Sequence, residues 1–228
     1  MFTGIVESLG EVAQIVRNGG DLSLKIRTTS LPMTDVVLGD SIATNGICLT
    51  VTRLEGAAFW ADVSAETLAH TTLSDWQVGR RVNLEKALQP QSRLGGHLVS
   101  GHVDGAGEVL AIWPDARSVR YRIKAAPALM RYIALKGSIC IDGVSLTVTA
   151  FSENTFELSI VPHTAQKTVM ASYQVGDKVN IEVDQIARYL ERLLLGNQGV
   201  VVDSVKEEKV SPISEAFLAE QGFIGRRR

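Results

Sequence analysis

The sequence has 228 residues, 45% of them hydrophobic, which is enough for one large domain or two small ones with separate cores. Its 23 basic and 25 acidic residues give a net charge of -2, which excludes an electrostatic argument for nucleic acid or an anionic membrane as partner. No run approaches the roughly 20 apolar residues of a membrane span, and residues 1–7 lack the features of a signal peptide. We therefore expect a cytoplasmic protein.

The first half of the chain has the pattern of short strands separated by turns. Residues 22–27 and 49–52 alternate apolar with polar side chains, which is typical of half-buried strands. The dipeptide Asn45-Gly46 predicts a tight turn between strands, and residues 31–36 are predicted to form a short helix. Proline and paired glycines within residues 89–96 indicate a linker.

The second half of the chain shows the same order of signals. Residues 119–124 and 146–149 alternate in the manner of strands, and Asp142-Gly143 predicts another tight turn. A short helix is predicted over residues 127–132, as the counterpart of the one at 31–36. Many short strands with regular turn signals favour antiparallel barrels.

A helix with one apolar face is predicted after these strands, and it ends at Gly196. Its apolar face comprises Ile186, Tyr189, Leu190, Leu193 and Leu194. This face either packs on its own barrel or forms an oligomer contact, and we favour the contact. In the tail, Ser211 and Pro212 predict the start of a short helix that runs to Gly222.

Three blocks of the sequence repeat at a constant offset of 97 residues. Residues 4–12 match 101–109, residues 41–52 match 138–149, and residues 77–85 match 174–182. Because the register holds without a gap, the chain contains two copies of one β-rich module. Chemistry is then best sought where the copies differ, since shared residues are explained by the shared fold. The informative pairs are Ile5 and His102, Gly39 and Lys136, Ala43 and Cys140, Cys48 and Ser145, Glu66 and His163, and Ala87 and Asp184.

Common catalytic and metal-binding motifs are absent from the sequence. It contains no phosphate-binding loop, dinucleotide fingerprint, zinc-protease motif or nucleophile elbow. Two cysteines do not make a disulfide framework, and no Cys and His residues have zinc spacing. We expect free thiols and no metal.

Four motifs stand out in the two copies: Met1-Phe2-Thr3-Gly4-Ile5-Val6, residues 45–51, Gly95-Gly96-His97 with the following residues to Val103, and residues 142–148. Together they resemble the motifs of the riboflavin synthase family, the α type with two lumazine-binding repeats. The resemblance covers residues 1–195 and preserves the order and spacing of the family's motifs. It implies an all-β fold: two tandem six-stranded antiparallel Greek-key barrels related by internal duplication, with a C-terminal α-helix.

The resemblance also implies domain boundaries, an activity and an assembly. Lumazine-binding barrel 1 would span 1–96, barrel 2 97–184, an oligomerisation helix 185–196 and a tail 197–228. The family converts two molecules of 6,7-dimethyl-8-ribityllumazine into riboflavin and 5-amino-6-ribitylamino-uracil by four-carbon transfer, without cofactor or metal. Its enzymes are homotrimers whose active sites lie between barrel 1 of one chain and barrel 2 of a neighbour. An association with lumazine synthase is a further implied partnership.

The family's site residues carry over to matching positions of this sequence. The implied catalytic residues are Cys48, His102, Ser41 and Asp184, while His97 of the same motif stays open between a structural and a functional role. Implied substrate-binding residues in the first copy are Gly4, Ile5, Val6, Ile47, Cys48, Leu49, Thr50, Ala61, Asp62, Val63, Ser64, Ala65, Glu66 and Thr67. Those in the second copy are Gly101, His102, Val103, Lys136, Ser145, Leu146, Thr147, Ile160, Val161, Pro162, His163, Thr164 and Ala165.

Each of these roles has a structural alternative. Cys48 is equally a small buried apolar residue, the strand hydroxyls can bond the backbone, and Asp184 is placed to cap a helix.

Two other functions compete with the enzyme. A non-catalytic lumazine- or flavin-binding antenna uses the same fold but does not need Cys48 and His102, which this chain retains. A nicotinamide-dependent flavin reductase would need a nucleotide domain for which the chain has neither length nor motif.

Overall fold

The computed structural model describes residues 1–18 and 21–196. Residues 1–191 form one compact unit, and the last described residues, 192–196, fall outside it. In the described residues the strands are β1 Ser8–Asn18, β2 Asp21–Thr28, β3 Ser41–Thr44, β4 Ile47–Glu55, β5 Ala58–Val63, β6 Arg81–Lys86, β7 Gly105–Asp115, β8 Ser118–Lys124, β9 Ser138–Ile141, β10 Val144–Phe151, β11 Thr155–Ile160 and β12 Lys178–Val183. The helices are α1 Ala65–His70, α2 Pro127–Met130, α3 Pro162–Lys167 and α4 Gln185–Gly196, with 3-10 turns at Thr72–Asp75 and Val169–Ser172.

The strands close into two antiparallel barrels of six strands each. Barrel 1 has the order β1-β2-β5-β4-β3-β6, and barrel 2 has the equivalent Greek-key order in β7 to β12. Alternating apolar side chains such as Leu24 and Ile26 fill barrel 1, and Tyr121 and Ile123 fill barrel 2 in the same way. The duplicated all-β fold predicted from the sequence is therefore confirmed, down to register shifts at equivalent points of the two copies.

The two tight turns predicted from Asn-Gly and Asp-Gly lie back to back between the barrels. All four residues have positive φ, with Asn45 at 47° and Asp142 at 45°. A Cβ atom on Gly46 would lie 2.7 Å from the backbone nitrogen of Gly143, and the reverse contact would be 2.8 Å. Only glycine permits this approach, so these dipeptides set the distance between the barrels as well as turning the chain.

The two predicted short helices have different outcomes. Barrel 2 has helix α2, which begins at Pro127, an amino acid suited to a first helical position. The helix predicted at residues 31–36 is wrong. A single turn stands there, closed by a bond from Val36 N to Met33 O of 3.3 Å. Since Leu31 precedes Pro32, helical backbone is disfavoured at that position. The helix predicted near residues 211–222 lies outside the described residues.

Helix α4 is attached to barrel 2 by its polar face. Arg188 forms an ion pair with Asp104, and Glu191 binds Arg131 at 2.9 Å and the hydroxyl of Tyr132. The opposite face is open, because Ile186, Tyr189 and Leu190 are 54%, 68% and 54% exposed. These three side chains do not pack on their own barrel. Among the described residues, no helix is long and apolar enough to cross a membrane.

Candidate active site

The segment that precedes each barrel crosses to the other barrel. Gly4 O accepts a hydrogen bond of 2.7 Å from the backbone nitrogen of Ser145 in barrel 2, and Gly101 O accepts one of 2.9 Å from Cys48 in barrel 1. Val6 packs against the core of barrel 2, and Val103 packs against the core of barrel 1. Each barrel is therefore completed by residues from the other repeat.

Two buried carboxylates hold these crossing segments in place. Glu85 accepts hydrogen bonds from the backbone nitrogen and hydroxyl of Thr3, both at 2.6 Å, and from Gly4 N at 3.0 Å. Glu182 does the same for Ser100, at 2.6 Å twice, and for Gly101 N at 2.9 Å. Burial raises the pKa of both carboxyl groups, against the lowering effect of these hydrogen bonds.

Sequence reasoning missed this pair of glutamates. Both lie in the repeated block of residues 77–85 and 174–182, so they could have been found there. They were passed over because shared residues were attributed to the fold. Glu85 and Glu182 do serve the fold, because they position the crossing segments, and those segments carry residues that differ between the two copies.

A second reciprocal pair joins the barrels at their centre. Asn83 donates through Nδ2 to Asp142 O at 2.8 Å, and Asn180 donates to Asn45 O at 2.9 Å. The symmetry breaks at one point, where the hydroxyl of Tyr173 donates to Asp142 Oδ2 at 2.6 Å. Burial raises the pKa of Asp142 to about 6, although this bond and one from Asn180 N lower it. At the equivalent position, Asn45 Nδ2 is buried without a partner among the described residues.

Glycine is required where the crossing segments meet the strands. Gly4 and Gly101 have φ of 74° and 80°, a region that side chains disfavour. A Cβ atom on Gly4 would lie 2.6 Å from Ser145 Cβ, and one on Gly101 would lie 2.6 Å from Cys48 Cβ. The predicted site residues Ser145 and Cys48 thus directly contact the backbone of the opposite repeat.

The first half-site comprises predicted residues on barrel 1 and residues 101–103. Cys48, Leu49 and Thr50 lie on β4, and Ser41 pairs with Thr50 across β3. The end of β5 and the start of α1 supply residues 61–67, with Ser64 capping α1 through a bond from Thr67 N. Leu49 is buried in the barrel, as are Ile47, Ala61 and Val63, whereas Thr50 and His102 are exposed.

The second half-site comprises the matching residues on barrel 2 and residues 4–6. Ser145, Leu146 and Thr147 lie on β10, and residues 160–165 include the end of β11 and the start of α3. Lys136 is exposed and has a positive φ of 63°, where the first copy has Gly39 at 91°. A lysine held in this backbone conformation is strained, which is a common property of functional positions.

The crossing brings together reactive residues that come from different repeats. Cys48 and His102 belong to the same half-site, because His102 follows the glycine whose carbonyl binds Cys48. Ser145 is joined instead by Ile5, which follows Gly4. Cys48 and His102 therefore lie together in the first half-site, and their counterparts Ser145 and Ile5 lie together in the second. The sequence comparison found these residues but not their pairing.

Two further residues considered for the site, Asp184 and His97, lie near the second barrel. Asp184 precedes α4, and its Oδ1 accepts a hydrogen bond of 3.0 Å from Ile186 N, as a helix cap does. His97 is buried, and its Nδ1 lies 2.6 Å from Ser145 Oγ. Burial lowers the pKa of His97, and the charge of Asp184 opposes that shift.

Cavities adjoin some of these residues. One of about 420 Å³ is lined by Ile5, Ala87 and Gly95 among others, and one of about 260 Å³ lies beside Ser41. A third of about 470 Å³ lies between the barrels near Arg80 and Tyr173, and none of the predicted site residues line it. Among the predicted site residues, Ile5 lines the first of these cavities and Ser41 lines the second.

The sequence matches the family described as "Lumazine binding domain" over residues 3–87 and again over 100–184. Solved structures similar to this one include LumP complexed with riboflavin, with a TM-score of 0.75 and 27% identity over 80% of this chain and 99% of that one. LumP complexed with 6,7-dimethyl-8-(1'-D-ribityl) lumazine gives a TM-score of 0.73 and 26% identity over the same shares. The fold and site thus define a two-repeat lumazine-binding protein.

Full-length relatives make the assignment more specific. A riboflavin synthase of Photobacterium phosphoreum is 47% identical over 98% of this chain and all of that protein. One of Bacillus subtilis (strain 168) is 43% identical, again over 98% of this chain and 100% of the relative. The chain belongs to the riboflavin synthase family of transferases.

Proposed function

We propose that the chain converts two molecules of 6,7-dimethyl-8-ribityllumazine into riboflavin and 5-amino-6-ribitylamino-uracil. The observation that carries this proposal is the pair of half-sites, built alike from one barrel and the crossing segment of the other. Two copies of one substrate need two similar binding surfaces, and the repeat supplies them. The two molecules act as donor and acceptor of the four-carbon unit, so the surfaces must differ at a few positions, as Cys48 and Ser145 do.

Orientation of the two ring systems supplies a large part of the rate enhancement. Holding two reactants in the reactive geometry contributes on the order of 7–11 kcal/mol at best. The hydrogen bonds that Glu85 and Glu182 accept from Gly4 N and Gly101 N favour this role, because they fix both crossing segments against the strands. No cofactor is needed for the exchange of atoms between two identical molecules.

The first half-site carries the groups suited to proton transfer and addition. The reaction requires loss of a proton from the C7 methyl group of one lumazine, and the resulting anion is delocalised, so a modest base suffices. His102 is exposed and directly follows Gly101, whose carbonyl binds Cys48 N, so it can serve in proton transfer. Cys48 can add to the acceptor ring or line the pocket. Ser41 lies on the neighbouring strand, opposite Thr50, and can bind a substrate polar group.

The second half-site offers groups suited to binding. Ser145 and Thr147 present hydroxyls, and the strained Lys136 presents a cation for a substrate oxygen. Asp184 contributes a carboxylate near this site in addition to its helix cap. This division of chemistry between the half-sites follows from the segregation of His102 and Cys48 on one side.

We also propose a homotrimer in which the half-sites of neighbouring chains face each other. The half-sites are open in the single chain, where Thr50, His102, Lys136 and His163 are all exposed. The open apolar face of α4 supplies the contact. The double substitution Tyr189→Glu and Leu190→Glu should give monomers in sedimentation analysis and lower turnover. If the double variant forms trimers as readily as the wild type, this arrangement is wrong.

Turnover of a single substrate tests the function directly. The purified chain is incubated with 6,7-dimethyl-8-ribityllumazine alone, and riboflavin is followed by absorbance. We expect riboflavin and 5-amino-6-ribitylamino-uracil in equal amounts. Bound lumazine without product would instead favour the antenna, a function like that of the LumP structures. The cytoplasmic location and the association with lumazine synthase stay predictions.

A further inference from the structure

Asp104, two residues after His102, joins the crossing segment of the first half-site to strand β12 and to helix α4. Its backbone nitrogen donates to Ile181 O at 2.8 Å, and its Oδ2 accepts a hydrogen bond of 2.7 Å from Val183 N. Its Oδ1 forms an ion pair with Arg188 of α4. Both oxygens of the carboxylate are therefore bound, and the side chain is only 10% exposed.

The first copy has the bond to the strand but not the cation. At the offset of 97, the counterpart of Asp104 is Glu7, whose Oε1 accepts a hydrogen bond of 2.8 Å from Lys86 N. The counterpart of Arg188 is the neutral Gln91, which lies in the linker. Glu7 is exposed, whereas Asp104 is half-buried. The bond to the strand thus belongs to the shared scaffold, and the second copy adds a cation to it.

The segment that carries His102 is bound by two acidic side chains, one on each side. Glu182 accepts hydrogen bonds from the backbone nitrogens of Ser100 and Gly101, and Asp104 follows the segment. Burial contributes most to the raised pKa of Glu182, and the nearby charge of Asp104 adds to it. Because like charges repel, the two carboxylates oppose each other unless a cation offsets one of them. Arg188 supplies that cation at Asp104.

A second ion pair attaches α4 to barrel 2 at residues outside the segment. Glu191 binds Arg131 at 2.9 Å and the hydroxyl of Tyr132. The guanidinium of Arg188 also lies 5.2 Å from the centroid of the Tyr132 ring. The contacts of Glu191 hold the helix on the barrel, but they involve residues 131–132 rather than 100–104. The two ion pairs therefore differ in which part of barrel 2 they bind.

We infer that Arg188 is a positioning residue that holds the segment carrying His102 in place through Asp104. This inference rests on the proposed function and deepens it. Since His102 is exposed, the backbone of its segment sets the position of the imidazole. The apolar face of α4 is the proposed contact between chains, so the same helix links assembly to the first half-site.

A double-mutant cycle tests whether Arg188 acts through Asp104. Arg188→Gln removes the cation, and Asp104→Asn removes the charge while leaving an oxygen to accept the bond from Val183 N. Each should lower kcat roughly tenfold, with a much smaller change in riboflavin affinity, because misplacement of a reactive group slows the chemical step. The double variant should lose no more than either single one. Arg188→Lys keeps a cation and should restore most of the rate.

Arg131→Gln is the matched control, because it breaks the other ion pair of α4, and it should keep kcat within about twofold of the wild type. An equal loss in Arg131→Gln would overturn the inference, as would an unaltered rate in Arg188→Gln. Losses that multiply to about a hundredfold in the double variant would show that the two residues act independently.

Two further outcomes concern assembly and folding. If Arg188→Gln forms smaller assemblies than the wild type in sedimentation analysis, its effect is on assembly and the inference is wrong. If Arg188→Gln does not fold, Asp104→Asn decides the matter, and a wild-type kcat in that variant rejects the role.

Hydrogen exchange separates this inference from the proposed activity. Backbone amides of residues 100–104, followed by mass spectrometry, should exchange roughly tenfold faster in Arg188→Gln and Asp104→Asn than in the wild type. Exchange in Arg131→Gln should be unchanged there. If the wild type makes no riboflavin, the proposed function fails, and faster exchange in the two variants still supports the positioning role. Equal exchange in Arg188→Gln and the wild type rejects that role, whatever the turnover.

Discussion

The two barrels share the residues that position the chain and differ in the residues that can react. Glu85 and Glu182 bind the crossing segments through the same three hydrogen bonds, and the two Asn-centred bridges between the barrels are reciprocal. In contrast, Cys48 faces Gly101 where Ser145 faces Gly4 and His97. Duplication thus preserved a scaffold of buried polar bonds, while Ile5 and His102, and Cys48 and Ser145, diverged beside it.

The largest expected effect comes from breaking the scaffold. Glu182→Ala removes three hydrogen bonds and leaves the backbone nitrogens of Ser100 and Gly101 without partners. We expect a loss of about 3–5 kcal/mol in the free energy of unfolding, measured by urea denaturation. Glu85→Ala should cost a similar amount. The exposed Glu108→Ala is the control and should change stability by less than about 0.5 kcal/mol. A large difference between the two glutamates would contradict their equivalence.

The next effect is on turnover and tests the division of chemistry. His102→Gln should lower kcat by roughly a hundredfold while changing ligand affinity much less, because it removes proton transfer but keeps a polar side chain. Cys48→Ser should behave similarly if the thiol acts on the ring. Steady-state kinetics and riboflavin titration measure the two quantities. Glu108→Gln, an exposed substitution outside the predicted site, serves as the control. Near-wild-type rates in both site variants would reject these roles.

A smaller effect concerns the pH dependence of stability, through Asp142 and its counterpart Asn45. Since burial raises the pKa of Asp142 to about 6, the folded state binds its proton more tightly than the unfolded state does. The stabilisation that protonated Asp142 provides is therefore fully present below its pKa in the unfolded state, and it is lost as the pH rises through about 6. Relative to Asp142→Asn, the wild type should lose up to about 3 kcal/mol of unfolding free energy between pH 4 and pH 7.

Urea denaturation of both proteins at several pH values measures this difference. The contributions of Glu85 and Glu182 cancel, because both proteins contain them. Asn45→Asp is the matched variant in barrel 1 and should introduce a pH dependence of the same sign. If the difference in unfolding free energy between the wild type and Asp142→Asn stays constant from about pH 4 to about pH 7, Asp142 does not have the raised pKa that its burial predicts.

The smallest effect concerns the strained lysine. Lys136→Gly should relieve the positive φ and raise the free energy of unfolding by about 0.5–1 kcal/mol, since part of the gain is offset by the greater freedom of glycine when unfolded. Gly39→Lys should lower stability by a similar amount. Riboflavin affinity should fall in Lys136→Gly and stay unchanged in Gly39→Lys. Equal affinity in both variants would remove Lys136 from the proposed site.

Several features of the fold were accessible from local sequence patterns. The alternation in strands such as β8, the Asp142-Gly143 turn and the apolar stripe of α4 each depend on nearby residues alone. The helix predicted at residues 31–36 failed because the local pattern was carried across from the second copy, where Pro127 starts the helix. The same position in the first copy lacks that proline.

The sequence by itself determined the duplication, the barrel class and the residues that differ between the copies, because a fixed offset and short-range periodicity are properties of a linear chain. Only the tertiary structure decided which of those residues meet. The crossing of residues 4–6 and 101–103 joins groups more than 40 residues apart, through bonds to Ser145 and Cys48 that no local pattern encodes. The direction of the α4 face and the contact between His97 and Ser145 were settled in the same way, by packing between distant segments.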